Sequence, residues 1–284
     1  MKTMTRNLIL LLIALLAMFT FSCKEPQETE DPPTTQETLN ALAEYSAVNK
    51  LYSDAFSETD DAAKYTDDQI EGKSGNTKDG YPIITITPFD AVTWPKTVTV
   101  NYGTTNYLCQ DGHYRKGTIN FETTGFYRDE GTVITITFDN YYQNNHKVEG
   151  TQIVTNTGRN GENHLVYTVE INDGVVTTPE NKVIHYEENT SREWVGGEAT
   201  VLEICDDNYH ITGTQNGISS DSISYLLTVQ TRLDIMVCCH WIRGGVLDVD
   251  IEGLETITID YGNDECDENA VVTILGVNYP IVMQ

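Results

Sequence analysis

The sequence predicts a mainly β protein: an antiparallel, β-sandwich-like body of two related β modules, preceded by one N-terminal amphipathic helix. Three observations carry this expectation. From Ile83 onward, apolar residues recur at every second position, the period of a strand with one buried face. Turn dipeptides separate those runs at Asp111-Gly112, Asp173-Gly174, Asn216-Gly217 and Gly262-Asn263. Helical spacing is confined to one segment, ahead of the first strand.

The chain opens with three physically distinct parts. Lys2 and Arg6 supply positive charge, Leu8 to Phe21 is an unbroken apolar run, and Ser22 is small. That order describes a secretory signal peptide over residues 1–22; a spanning helix needs about 20 apolar residues. Cys23 follows directly, so the predicted cleavage leaves it at the new N-terminus as a lipidation site. Each buried acyl CH₂ contributes about 0.8 kcal/mol, which holds two or three chains in a membrane but one only marginally. The competing reading is an ordinary cleaved signal followed by an incidental cysteine. Residues 23–38 contain Pro, Glu and Thr and no large apolar side chain, which predicts a disordered acidic tether.

From Glu37 to Lys64 the apolar residues Leu42, Tyr45, Val48, Tyr52, Ala55, Phe56 and Ala62 form one stripe of an amphipathic helix. That stripe is expected to pack on the β body. The first module then spans residues 39–190 with the helix, and the second spans 191–284. Val98, Val100 and Tyr102 alternate with Thr97, Thr99 and Asn101, as do Ile134, Ile136 and Phe138 with Thr135 and Thr137. The two-module reading rests on internal similarity: KTVTVNYG at Lys96 returns as ETITIDYG at Glu255, and VEGTQ at Val148 returns as ITGTQ at Ile211.

Several stretches resemble a family of uncharacterised Bacteroidetes cell-envelope lipoproteins. They are DGHYRKGTI (Asp111 to Ile119), TFDNYYQNNHKVEGT (Thr137 to Thr151), REWVGGE (Arg192 to Glu198), CHWIRGGVLDV (Cys239 to Val249) and TITIDYGNDECDENAVVTILGVNYPI (Thr256 to Ile281). Thr20, Phe21 and Ser22 before Cys23 look like the relaxed cleavage signal of that group, and the acidic residues after it look like its surface-export signal. The resemblance implies an outer-membrane, lipid-anchored protein exposed on the cell surface, with the periplasmic face as the alternative. It implies no catalytic residue.

Composition narrows the partners. With 43 acidic against 17 basic residues the net charge is −26, so nucleic acid and anionic headgroups are repelled and nucleic acid is excluded as a partner. The lipid on Cys23 is the expected membrane contact; a glycan or another envelope protein is the expected ligand class. Of the six cysteines, Cys23 aside, Cys109, Cys205, Cys238, Cys239 and Cys266 form an odd set. Cys238 and Cys239 point to opposite faces of a strand, and Cys239–Cys266 is the expected bridge, with reduced buried thiols as the alternative.

Chemistry is harder to find. The six histidines form no HExxH or paired motif, and no nucleophile elbow or phosphate loop is present. The acidic turn with Asp260, Asp264 and Asp267 has oxygen ligands in the number calcium takes, but not EF-hand spacing. No other cofactor is indicated. Tyr141 and Tyr142 in TFDNYYQNN are candidate glycan contacts, against the commoner role of tyrosine as a cross-strand packing residue. The expectation is therefore a non-enzymatic structural or interaction lipoprotein. The alternatives are a glycan-binding accessory lipoprotein and a degradative enzyme using a carboxylate pair.

Overall fold

The computed structural model describes residues 35–72, 82–200 and 204–283. The signal peptide, Cys23 and the tether as far as residue 34 lie outside the described residues.

The helix α1 runs from Thr35 to Ile70, beginning inside the stretch expected to be tether and ending beyond Lys64. Glu37 in its first turn complements the positive helix end. Gly72, at φ +68°, stops it, with its N–H returned to the carbonyl of Gln69 at 3.2 Å. The buried positions Thr38, Ala41, Val48, Tyr52, Ala55, Thr59, Ala62 and Thr66, with half-buried Tyr45 between them, fall alternately three and four residues apart. Alanines along this stripe let the helix approach the sheet closely. Thr59 and Thr66 satisfy their buried hydroxyls on the carbonyls of Ala55 and Ala62, at 2.9 and 2.7 Å.

The strands follow in chain order: β1 (Ile83–Thr87), β2 (Lys96–Asn101), β3 (Tyr107–Leu108), β4 (Tyr114–Thr123), β5 (Val133–Gln143), β6 (His146–Arg159) and β7 (Leu165–Thr177). Then come β8 (Val183–Gly196), β9 (Asn208–Ile218), β10 (Ser224–Met236), β11 (Gly244–Ile251), β12 (Ile257–Asp260), β13 (Asn269–Ile274) and β14 (Val277–Val282). All are antiparallel and form one sheet, each strand beside its chain neighbour except that β2 pairs with β4 and the short β3 joins β4. Among the described residues the protein is mainly β with one α-helix, as the periodicities predict.

The strands form one continuous sheet, and α1 packs on its inner face. The expected module boundary at 190/191 falls inside β8, which pairs with β7 on one side and β9 on the other along most of its length. Two apolar cores lie under the sheet. One gathers residues of β2 to β8 with the middle and end of α1; the other gathers β10 and β11 with Ala41. Half-buried Tyr45 packs against both.

Contacts of α1 require the sheet to be concave toward it. Tyr52 touches Phe138 of β5 and Tyr186 of β8, and Glu58, under two turns away, meets Tyr102 just after β2 and Arg115 of β4. In a flat sheet β2 and β8 would be about 24 Å apart, at roughly 4.8 Å per strand, over twice the width of a helix. The repeated sequence supplies part of the bending. Gly150 of VEGTQ has φ +111° and Gly213 of ITGTQ has φ +119°, values that disfavour any side chain. A Cβ on Gly150 would lie 2.7 Å from the carbonyl oxygen of Asp173, and one on Gly213 would run into the Asn189 carbonyl. At Gly150 the pairing of β6 with β7 slips register, the signature of a bulge.

Candidate functional site

Three polar constellations stand out. The first lies where α1 meets β4 and β5. Arg115 is 1% exposed; its Nη2 donates to Asp111 at 2.6 Å, and its Nη1 lies 3.4 Å from Glu58 of α1. Glu58 also accepts from Tyr102 at 2.5 Å, and Asp54 accepts from Gln143, also at 2.5 Å. Burial pushes the Tyr102 hydroxyl well up, and the Glu58 charge adds to that. Burial opposes the Arg115 charge, but Asp111 and the Glu58 charge more than compensate and raise its pKa. Cys109, the free thiol among the described residues, sits half-buried beside this group, its pKa raised by burial.

The second is a cavity of about 160 Å³ between α1 and β8 to β11. Tyr45 donates to Gln215 at 2.6 Å, Gln215 to Asn49 at 3.3 Å, and Tyr186 to the same Asn49 oxygen at 3.2 Å. Glu188, 5% exposed, accepts from Thr190 at 2.5 Å and lies 3.6 Å from Arg192. Pockets for small ligands are typically about 300–1,000 Å³. This cavity is smaller, and the polar groups just named are bonded to one another, while Arg192 Nε is buried beside them without a hydrogen-bond partner.

The third lies on the opposite face. Trp194 of β8 faces α1, with Lys64 Nζ 4.7 Å from its ring centroid, so its neighbour Glu193 points outward. Strand register sets Glu193 opposite His210 of β9, and His210 opposite Asp234 of β10. His164, in the β6–β7 turn, lies with its Nδ1 2.7 Å from Glu193 Oε1. Glu162, His164 and Glu193 each place one ligand atom within 4.8 Å of the others, the one such trio among the described residues. Glu193 is held below the usual carboxylate range, first by the His164 hydrogen bond. Burial works against the Asp234 charge, yet hydrogen bonds from Arg243 and Asn208 keep its pKa low.

The residues singled out in sequence fare differently. Tyr141 is fully buried, packed 5.6 Å from the Phe138 ring and 6.0 Å from Tyr102. It faces α1 and offers no surface to a glycan, which corrects the expectation placed on it; the commoner packing role prevails. Tyr142 points the other way, half-buried, with Lys116 Nζ 4.3 Å from its ring centroid. Cys239 is bonded to Cys266, and Cys205 is bonded to Cys238. The acidic turn does not converge. Asp260 and Asp267 line a groove of about 380 Å³ that also holds the Arg243 guanidinium, whereas Asp264 lies 3.5 Å from Arg232. Each of the first two also accepts from a backbone N–H of its own turn, that of Gly262 or Asn269. Sequence reading missed the His164–Glu193–His210 row, whose members come from separate strands with no local motif.

The chain matches no family model, no curated protein and no solved structure. No helix among the described residues is long and apolar enough to cross a membrane.

Proposed function

We propose that this chain is a membrane-anchored cell-envelope lipoprotein with a non-enzymatic structural or interaction role, held in the outer membrane by lipid on Cys23 and displayed at the cell surface. The sequence supports the anchor: positive residues, an apolar run and a small residue end at Cys23, and the described body begins shortly after, at Thr35. The observation that favours a structural or interaction role is the occupant of the sheet's inner face. A concave antiparallel sheet is a natural ligand receptacle, and here α1 lies along it, tied by hydrogen bonds donated by Tyr45 and Tyr52 and by one that Glu58 accepts from Tyr102. The body therefore offers its surroundings a sheet exterior and edges on a short lead.

Metabolic labelling with a fatty-acid analogue, followed by membrane fractionation, tests the anchor. Wild type takes up label and sediments with membranes; Cys23→Ala loses both. Label retained in Cys23→Ala sinks the proposal. Protease added to intact cells tests the display: cleavage of the body without lysis is expected, and full protection places it on the inner leaflet.

A further inference from the structure

We propose that the outer face of the sheet binds one divalent transition-metal ion of the zinc type through Glu162, His164 and Glu193, with His210 as the fourth ligand. This does not depend on the anchor or on the body's role.

Three of the donors are already gathered: Glu162, His164 and Glu193 place ligand atoms within 4.8 Å of one another, and His210 stands just beyond that trio. His164 Nδ1 is 2.7 Å from Glu193 Oε1 and 3.9 Å from Glu162 Oε2, and His210 Nδ1 is 4.0 Å from Glu193 Oε2. Zinc bonds of about 2.0–2.2 Å at tetrahedral angles set ligand atoms roughly 3.3 Å apart. Small side-chain shifts would convert the contacts of Glu162, His164 and Glu193 into a coordination shell around one ion, with His210 brought in by a larger swing of its side chain. Glu193 is central, with one oxygen toward each imidazole.

The surroundings match what a metal-binding histidine needs. His210 turns its Nε2 to Asp234 Oδ2 at 3.2 Å, leaving Nδ1 on the side of Glu193. A ligating imidazole commonly gives its other N–H to a carboxylate, which fixes tautomer and ring angle. Asp234 is only 2% exposed and is itself held by Arg243 Nε at 2.6 Å and Asn208 Nδ2 at 3.3 Å. Aligning an imidazole is what that immobile carboxylate does in this place.

The other ligands sit on fixed backbone too. Asn160 Oδ1 accepts from the N–H groups of Glu162 and His164, both at 3.0 Å, and its Nδ2 donates to Glu193 at 2.6 Å. Exposure rises from Asp234 through His210 at 18% and His164 at 31% to Glu162 at 80%, so an ion has a path from solvent. Two imidazoles among the donors select a zinc-like ion over calcium or magnesium, which take oxygen ligands. The rival reading is a hydrogen-bonded His–carboxylate chain that only joins β7 to β10.

Calorimetric titration of the chelator-treated full chain with zinc chloride near pH 7.5 decides between them, with cobalt(II) absorption as the second readout. One ion per chain is expected, with tetrahedral-type cobalt bands. His164→Ala, in an exposed turn, and His210→Ala each weaken binding at least about tenfold. Asp234→Asn, which touches no ion, weakens it about ten- to hundredfold with the circular dichroism unchanged, while His146→Ala leaves it as in wild type. Absence of one-to-one binding, or binding equal in wild type and His164→Ala, overturns the proposal in favour of the hydrogen-bonded chain.

Discussion

The hydroxyl of Tyr52, in the middle of α1, donates to the carbonyl oxygen of Glu149 at 2.5 Å, one residue before the Gly150 bulge in β6. The helix thus bonds to sheet backbone where the ladder is interrupted and a carbonyl is free to turn inward. Gly174 of β7 completes the seat: a Cβ there would lie 2.8 Å from the Tyr52 oxygen and closer still to the Tyr186 carbonyl.

Removing that bond leaves a buried carbonyl without its partner. Tyr52→Phe is expected to cost about 1–3 kcal/mol in urea unfolding at pH 7. Gly174→Ala is expected to cost more, and the double variant no less than Gly174→Ala alone, because the Tyr186 carbonyl still obstructs the methyl. A neutral Gly174→Ala would show that the seat is looser than described.

Charge buried against α1 should be expensive to unpair. Glu58→Leu strips the partner from Tyr102 and one carboxylate from Arg115, which keeps Asp111, and leaving such a group short of a partner costs about 1–3 kcal/mol. Lys50→Ala, which removes an exposed i,i+4 pair with Asp54, should stay within about 0.5 kcal/mol of wild type. Equal effects from the two variants would remove the distinction between interior and surface.

Asp67 gives the fold a pH dependence of known sign. Burial, reinforced by the charges of Glu71, Asp129 and Asp68, pushes its pKa up from 3.8 to about 7 despite the N–H of Tyr127 at 2.9 Å. The folded state therefore holds a proton that the unfolded chain releases between those values. Its contribution to stability is complete below pH 4 and lost as pH rises through 7. Asp67→Asn keeps an acceptor for Tyr127 and should flatten the decline between pH 4 and 7 in thermal melts. A parallel slope in the variant would assign the decline elsewhere.

The two disulfides close loops of 33 and 27 residues, both within the C-terminal part of the sheet. Loops of that size correspond to about 3–4 kcal/mol each in the chain-entropy account. Cys239→Ala with Cys266→Ala is expected to lower the denaturant midpoint accordingly, while Cys109→Ala leaves it near wild type. Peptide mapping without reductant should return the two linked pairs and an unlinked Cys109.

The fold class was legible because it follows from periodicity. Alternation in LVYTVEI and VITITF, and the stripe from Tyr45 to Ala62, are statements about which side of an element meets water. The sheet's continuity was not legible. Related stretches such as VEGTQ and ITGTQ suggest modules, and their shared glycines, both with φ above +100°, mark a common backbone kink in one continuous sheet. Tyr141 was misplaced because the Asn and Asp beside it suggest exposure, while strand alternation places Phe138 and, past the Asn140 kink at φ +46°, Tyr141 on one inner face. The His164–Glu193–His210 row was invisible for a related reason. Its members stand 29 and 17 residues apart, a spacing set by hairpin lengths and register alone.

Ribosomes make α1 before any strand, yet its partners come later, with Tyr52 bonding 97 residues on and Glu44 bonding Ser220, 176 residues on. The strands, by contrast, need only their neighbours and can zip hairpin by hairpin with low contact order. The first of the described elements to be synthesised is consequently among the last to be sheltered. Until β10 arrives, its apolar stripe is open to solvent, to chaperones and to neighbouring chains. Folding faults in this protein should therefore begin at the front of the chain and be cured only at its back.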